Sequence, residues 1–382
     1  MPLRVVVIGG GIAGVSAAYH VASTGAQVVL IEQEAALAFH STGRSAALYF
    51  ENYGAQPNRA LTRASRGFFD DPPAGLIDHE LLGKRGALWV GRPDQVETLE
   101  AIFEEGTGPG GVSAGGSSRW LDPGEAVKLV PVLRPELVAG AVLEPEALDL
   151  DVAALHQGFV RGLRAAGATI LTSCRATGLN RRGNQWLVAT SDHELTADVI
   201  VNAAGAWCDQ IGALAGAAPI GLRPLRRTAF TVPGNDAWAG WPLVSNADNE
   251  FYFRPDGSQL LCSLAEENPT DPGDARPDQL DIARAIDRIN AHTTIGIRAV
   301  RSAWTGLRSF VADRAMVIGF DPLLPGFFWL AGQGGTGIQT APAAGELTAS
   351  LITRGESPAR IVELGLNVDD LSPARLQSSQ IV

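Results

Sequence analysis

The residues with the most chemical content come first in the chain. Gly9-Gly10-Gly11-Ile12-Ala13-Gly14 is a GxGxxG turn, and Glu32 follows it by about 20 residues. A turn of this type cradles a dinucleotide pyrophosphate. Gly9 makes the tight bend, Gly11 lets the backbone approach the phosphates, and Gly14 lets the following helix pack on its strand. Ile12 and Ala13 fall in the first turn of that helix, whose N–H groups face the anion. Glu32, with Gln33 beside it, accepts from a ribose hydroxyl. No other chemistry competes at this level. Cys174, Cys208 and Cys262 match neither a CxxC pair nor a zinc spacing, and the six histidines are scattered, so no metal site is expected.

The elements that must hold this turn are legible around it. Leu3–Ile8 is an apolar run and Val28–Ile31 a second one, so strand, turn, helix, strand and acid occur in the order of a βαβ unit. His40–Ala47 is small and polar and reads as a loop leading into a short helix. Helical spacing recurs over 60–71, over 151–167 behind an Asp151 cap, over 277–292 with Leu280, Ala283, Ile286 and Ile289 on one face, and over 341–352. Strands are expected at 87–90, 169–173, 186–190, 199–202, 315–318 and 327–331. Gly221–Ser263 carries β-like runs of a different, antiparallel kind. Glu104–Ser118 reads as a linker and the tail after Leu371 as loose.

Composition sets the class. With 382 residues, 46% apolar and 19% charged, the chain is globular and long enough for two or three lobes. A net charge of -11 argues against nucleic acid, since Arg181-Arg182 and Arg223–Arg227 are too short to track a polyanion. No apolar run is long enough to span a membrane, and the glycine-interrupted N-terminus is not read as a signal peptide. Cysteine usage suggests a reduced, cytoplasmic protein, and the high Ala, Gly, Arg and Pro content a bacterial one.

Four sets of residues together resemble a known family: the Gly9–Gly14 turn, His40-Ser41-Thr42-Gly43-Arg44-Ser45, Val201–Trp207, and Gly332–Thr340. The chain resembles the D-amino-acid oxidase, glycine oxidase and sarcosine oxidase superfamily of FAD enzymes, most closely its bacterial D-arginine dehydrogenase branch. The resemblance implies an α/β protein. A Rossmann-like FAD-binding domain of glutathione-reductase type is assembled from 1–80, 145–220 and 308–382, with a mixed or antiparallel substrate domain from 81–144 and 221–307.

It also implies the cofactor contacts. Ser41, Thr42, Arg44, Ser45, Ala46 and Ala47 lie along the pyrophosphate and flavin, Ala176, Ala204, Gly205 and Trp207 close the adenosine side, and Gly334, Gly335, Thr336, Gly337, Ile338, Gln339 and Thr340 meet the flavin's pyrimidine edge. Backbone donors there stabilise charge developing at N1–C2=O. Sarcosine-type relatives tether the flavin through a cysteine near the stretch matching Arg308–Asp313. This chain has no thiol there, so FAD is expected to bind non-covalently.

At the substrate end the resemblance makes Arg227 and Arg308 a clamp for a substrate carboxylate, because a planar guanidinium holds both oxygens at once. Tyr252 and Tyr53 add hydroxyl donors. The departures are as informative. Ala87 stands where the arginine-specific relatives carry a glutamate, and Leu48, Phe50 and Leu243 replace a histidine, a smaller polar residue and a methionine around the same pocket. An unpaired cationic tail would cost several kcal/mol there, whereas an alkyl tail gains about 0.8 kcal/mol per buried methylene.

The expected substrate is thus an amino acid with an apolar side chain, oxidised at its C–N bond by hydride transfer to flavin N5. The alternative is an N-substituted glycine, such as an N-carboxymethyl alkyl β-amino acid, cleaved to glyoxylate and an amine. The electron acceptor is open between O2 and a quinone or dye. A flavin-binding protein without turnover and an NAD-dependent dehydrogenase share the first fingerprint, but the latter has no use for Gly332–Gln339.

Overall fold

The computed structural model describes residues 2–107 and 118–377. Strand Arg4–Ile8 carries Val5, Val6, Val7 and Ile8, all at most 5% exposed, the pattern of a parallel strand covered on both faces. It lies between Val199–Asn202 and Gln27–Ile31, parallel to each. The full sheet runs Val317–Phe320, Phe327–Ala331, Val199–Asn202, Arg4–Ile8, Gln27–Ile31, Thr169–Leu171, and only the 317–331 hairpin is antiparallel.

Helices Ile12–Ala22, Val152–Ala165 and Ala341–Arg354 cover one face, and a three-stranded meander over 176–197 with the buried Trp186 covers the other. Asp151 caps its helix as the sequence predicts, accepting from Ala154 N–H at 2.8 Å.

Two glycines of the first turn are dictated by contact. A Cβ on Gly14 would lie 1.9 Å from the Gly9 carbonyl oxygen, and Gly9 itself has φ +114° with the Ala203 carbonyl 2.4 Å from where its Cβ would stand.

The second sheet has nine strands. Its spine is the long strand Arg223–Pro233, antiparallel to Ser302–Phe310 along nine residue pairs, Arg223↔Phe310 through Thr231↔Ser302. Ala87–Gly91 lies between Leu243–Asn246 and Gly140–Glu144. The core of this sheet is closed by helix Gln279–His292. The boundary expected between 307 and 308 falls inside Ser302–Phe310, so one unbroken strand carries the chain from the second sheet back toward the first.

Three expectations change. Leu280 is 56% exposed and Ala283 is exposed too, whereas helix Gln279–His292 buries Ile282 and Ala285 beside the expected Ile289, with the expected Ile286 packed partly buried on the same core. The reason is Asp281, whose carboxylate accepts from Arg226 and Asn268 on the sheet and so turns that side of the helix inward. Glu104–Thr107 ends the helix Val96–Thr107 rather than opening a linker, and the rest of that glycine stretch, 108–117, lies outside the described residues. Past Leu371, Ala374–Gln377 is helical, and Arg375 grips Asp313 and the Ala315 carbonyl. Among the described residues no helix is long and apolar enough to cross a membrane.

Candidate active site

A cavity of about 620 Å³ opens at the carboxyl ends of the parallel strands, where α/β sheets place their ligands. Gly9, Gly11, Ile12 and Ala13 line it. So do Glu32, Gln33, Ala176, Ala204, Gly205 and Trp207. The helix that starts at Ile12 has no side-chain cap at Gly11 and no acid in its first turn. Ile12 N–H donates to Thr42 Oγ1 at 3.0 Å, whereas the N–H groups of Gly11, Ala13 and Gly14 find no partner among the described residues. An anion is what such a helix start accepts. Glu32 is braced from both sides, accepting from Gly10 N–H at 2.7 Å and Glu34 N–H at 2.9 Å.

The loop 41–47 is tied to the second sheet. Ser41 Oγ donates to the Leu307 carbonyl, Trp304 Nε1 to the Arg44 carbonyl, and Arg44 itself to the carbonyls of Ala275 and Thr305 and to Asp274. The Arg44 guanidinium therefore anchors this loop to the second sheet, and it is the N–H groups of Ala46 and Ala47 that have no protein partner among the described residues.

The 332–340 loop divides similarly. Gly334, Gly335, Gly337, Ile338 and Gln339 line the cavity. Thr336 and Thr340 are buried away from it and spend their N–H groups and hydroxyls on neighbours within the loop and on Asn58 and Met316. Gly14, packed on Gly9, is also set back from the wall. The Gln339 carboxamide brackets the Phe50 backbone, its Oε1 accepting from Phe50 N–H and its Nε2 donating to the Phe50 carbonyl.

The two arginines meet on one face. Arg227 pairs with Gly306 and Arg308 with Leu225 across the same antiparallel ladder, which makes them diagonal neighbours on the same side, and both line the cavity. Arg308 Nη1 donates to Tyr53 Oη at 3.0 Å and has no carboxylate within ion-pair distance among the described residues. Arg227 is 7% exposed; its Nε donates to the Glu266 carbonyl at 2.8 Å and its Nη2 lies 3.4 Å from Glu267, a carboxylate held more tightly by Arg314.

Burial, and then the like charge of Arg308, push the Arg227 pKa down. The Arg308 guanidinium holds the Tyr53 hydroxyl below the usual phenol range against the opposing effect of burial. Such a pair is completed by an anion. Tyr252, 8% exposed, faces the same space from the strand Tyr252–Asp256.

Of the four pocket positions, Leu48, Phe50 and Leu243 line the cavity, while Ala87 is fully buried beneath it. Sequence reasoning missed Trp89, whose indole lines the cavity beside Phe50. The signal was alternation: in Ala87-Leu88-Trp89-Val90, position 89 shares its face with 87.

The chain matches the family described as FAD dependent oxidoreductase, DAO, over residues 4–351. It belongs to that family.

Sarcosine dehydrogenase of Mus musculus is 25% identical over 92% of this chain and 40% of its own length, so this chain spans about two fifths of that relative. The structure of glycine oxidase from Geobacillus kaustophilus superposes with a TM-score of 0.83 at 21% identity, covering 98% of this chain and 99% of the other. That of iminodiacetate oxidase from Chelativorans sp. BNC1 gives 0.76 at 25%, covering 97% and 99%. The cofactor of this DAO-family chain is FAD, and the N–H groups of residues 11, 13, 46, 47, 335, 337, 338 and 339, unpartnered among the described residues, fit its pyrophosphate and its ring edge.

Proposed function

We propose that this DAO-family oxidoreductase oxidises the C–N bond of an amino acid carrying an apolar side chain, with non-covalently bound FAD. The observation that carries the reading is the Arg227–Arg308 pair in the same cavity as the glycine loops. Arg227 and Arg308 bind the substrate carboxylate, and Tyr53, already on Arg308, and Tyr252 add donors. Pinning the carboxylate fixes the direction of the neighbouring C–H bond, which is positioning catalysis and needs no general base when the amine arrives neutral. When bound, FAD supplies a two-electron acceptor at N5 for the hydride leaving that carbon. The resulting imine adds water and releases an oxo acid with ammonia or an amine, and O2 or a quinone takes up the electrons.

The resemblance to D-arginine dehydrogenases does not extend to this pocket. Leu48, Phe50, Leu243 and Trp89 give a guanidinium tail no counter-charge at the wall.

A second reading is favoured by the names of two relatives. Sarcosine and iminodiacetate are both N-substituted glycines, so an N-carboxymethyl amine, cleaved to glyoxylate, also suits the arginine pair.

Anaerobic bleaching of the purified yellow protein separates these. Neutral D-amino acids giving the fastest reduction, with a 2-oxo acid and ammonia as products, support the first reading. Fastest reduction by N-carboxymethyl alkyl amines, with glyoxylate, supports the second. Fastest reduction by D-arginine defeats the apolar pocket, and no reduction by any of them leaves flavin binding without turnover.

A further inference from the structure

Glu144 is a carboxylate for which the reading above has no use. It is 6% exposed in the strand Gly140–Glu144 and does not line the cavity. Both oxygens are taken: Oε1 accepts from Trp89 Nε1 at 2.8 Å and Oε2 from Asn52 Nδ2 at 2.6 Å. Burial pushes its pKa up, against these two donors. A buried carboxyl costs free energy unless its partners repay it, so what it holds in place matters.

It holds the end of an aromatic row. Phe50 stacks nearly parallel to Tyr53 (centroids 6.0 Å, 10° between planes) and to Trp89 (6.3 Å, 28°). At one end Arg308 grips the Tyr53 hydroxyl; at the other Glu144 grips the Trp89 indole. The Phe50 backbone is fixed by Gln339. The register explains how a carboxylate reaches the indole. Glu144 pairs with Ala87 and Val142 with Trp89, so Glu144 and Trp89 are diagonal neighbours on one face, and the small Ala87 leaves that diagonal open. The alanine at position 87 thereby leaves room for a carboxylate on the next strand, and it is the ring held by that carboxylate that lines the cavity.

We propose that Glu144 is a specificity-positioning residue. By locking the Trp89 indole it makes the row Tyr53–Phe50–Trp89 a rigid wall for an extended apolar tail leading away from the arginine pair. This rests on the carboxylate reading of Arg227 and Arg308.

The test is binding of straight-chain carboxylates, acetate through hexanoate, to the FAD-loaded enzyme, read as perturbation of the flavin absorbance. In the unaltered protein, affinity rises with length, by about fourfold for each methylene that is buried. Glu144→Leu flattens this dependence beyond butyrate while acetate binds as before. Glu144→Gln retains an acceptor for the indole and restores most of the slope. Trp89→Ala loses the slope as well, and provides the test if Glu144→Leu does not fold.

An unchanged slope in Glu144→Leu, or in Trp89→Ala where the former does not fold, overturns the proposal, as does a proportionate loss of acetate and hexanoate binding. The two readings fail separately. If acetate itself does not bind the unaltered enzyme, the arginine pair is not a carboxylate site; if acetate binds and longer chains gain nothing, only the wall is wrong.

Discussion

At the end proposed to hold the cofactor phosphates the cavity is made of backbone, and at the end proposed to hold the substrate carboxylate it is made of side chains. The first comes mainly from Gly9–Gly14 with the braced Glu32, one contiguous stretch whose donors are main-chain N–H groups. The second draws Tyr53, Arg227, Tyr252 and Arg308 from separate segments that three strands and a loop bring together. A backbone site cannot tolerate atoms where the chain packs on itself. A side-chain site tolerates exchange of shape but not loss of charge.

The largest effect is expected from Gly14→Ala. Its new methyl would fall 1.9 Å from the Gly9 carbonyl oxygen, backbone against backbone, so the turn must open. The protein should be purified without flavin colour and with a much lowered melting temperature. A yellow, stable Gly14→Ala enzyme would dissolve the contrast between the two ends.

Arg308→Ala should leave the flavin in place but weaken carboxylate binding by roughly 2–5 kcal/mol, since one of two buried charges facing the ligand is lost. Flavin absorbance and substrate KM, measured on the same sample, check both halves of this statement. An unchanged KM removes Arg308 from the site.

Two buried groups answer to opposite sides of the pH scale, one in the scaffold and one in the cavity. In the last turn of the helix that starts at Ile12, His20 packs against Tyr19, Phe68 and Phe159, its Nε2 lacks a hydrogen-bond partner among the described residues, and burial together with Arg360 lowers its pKa to about 4. The unfolded chain binds this proton near pH 6.5 and the native one near 4. Its contribution is therefore fully present above 6.5 and is lost as pH falls toward 4, by roughly 3 kcal/mol in total. Urea midpoints at either side of that window should differ more for the unaltered protein than for His20→Leu.

At the carboxylate end the smallest effect is alkaline. Arg308 lowers the Tyr53 pKa from its usual value near 10, so the phenolate forms earlier and then satisfies Arg308 in place of the substrate. KM should rise as pH approaches that lowered pKa from below, and Tyr53→Phe should remove the rise. An identical alkaline limb in Tyr53→Phe assigns the titration elsewhere.

The same division describes what could be read before folding. The βαβ unit, its two contact glycines and Glu32 were legible because they are neighbours in the chain and each has a local job. The face of helix Gln279–His292 was not, because a distant arginine and asparagine satisfy Asp281 and turn it inward. Thr336 and Thr340 sit in a motif that meets the cavity, yet the loop's own hydrogen bonding points them elsewhere. Trp89 was visible as a strand residue only, since nothing nearby in sequence announces Phe50 stacked on it.

By itself the sequence determined a nucleotide turn, the alternation of strands and helices, and the supply of arginines and apolar residues. These depend on spacing along the chain, which short-range sterics and hydrogen bonding convert directly into structure. Only the tertiary structure decided that Arg227 and Arg308 share a face, that Arg44 anchors its loop to the second sheet, and that Glu144 holds Trp89. Those facts depend on strand register across separations of tens to hundreds of residues, and register is set by the packing of the whole core.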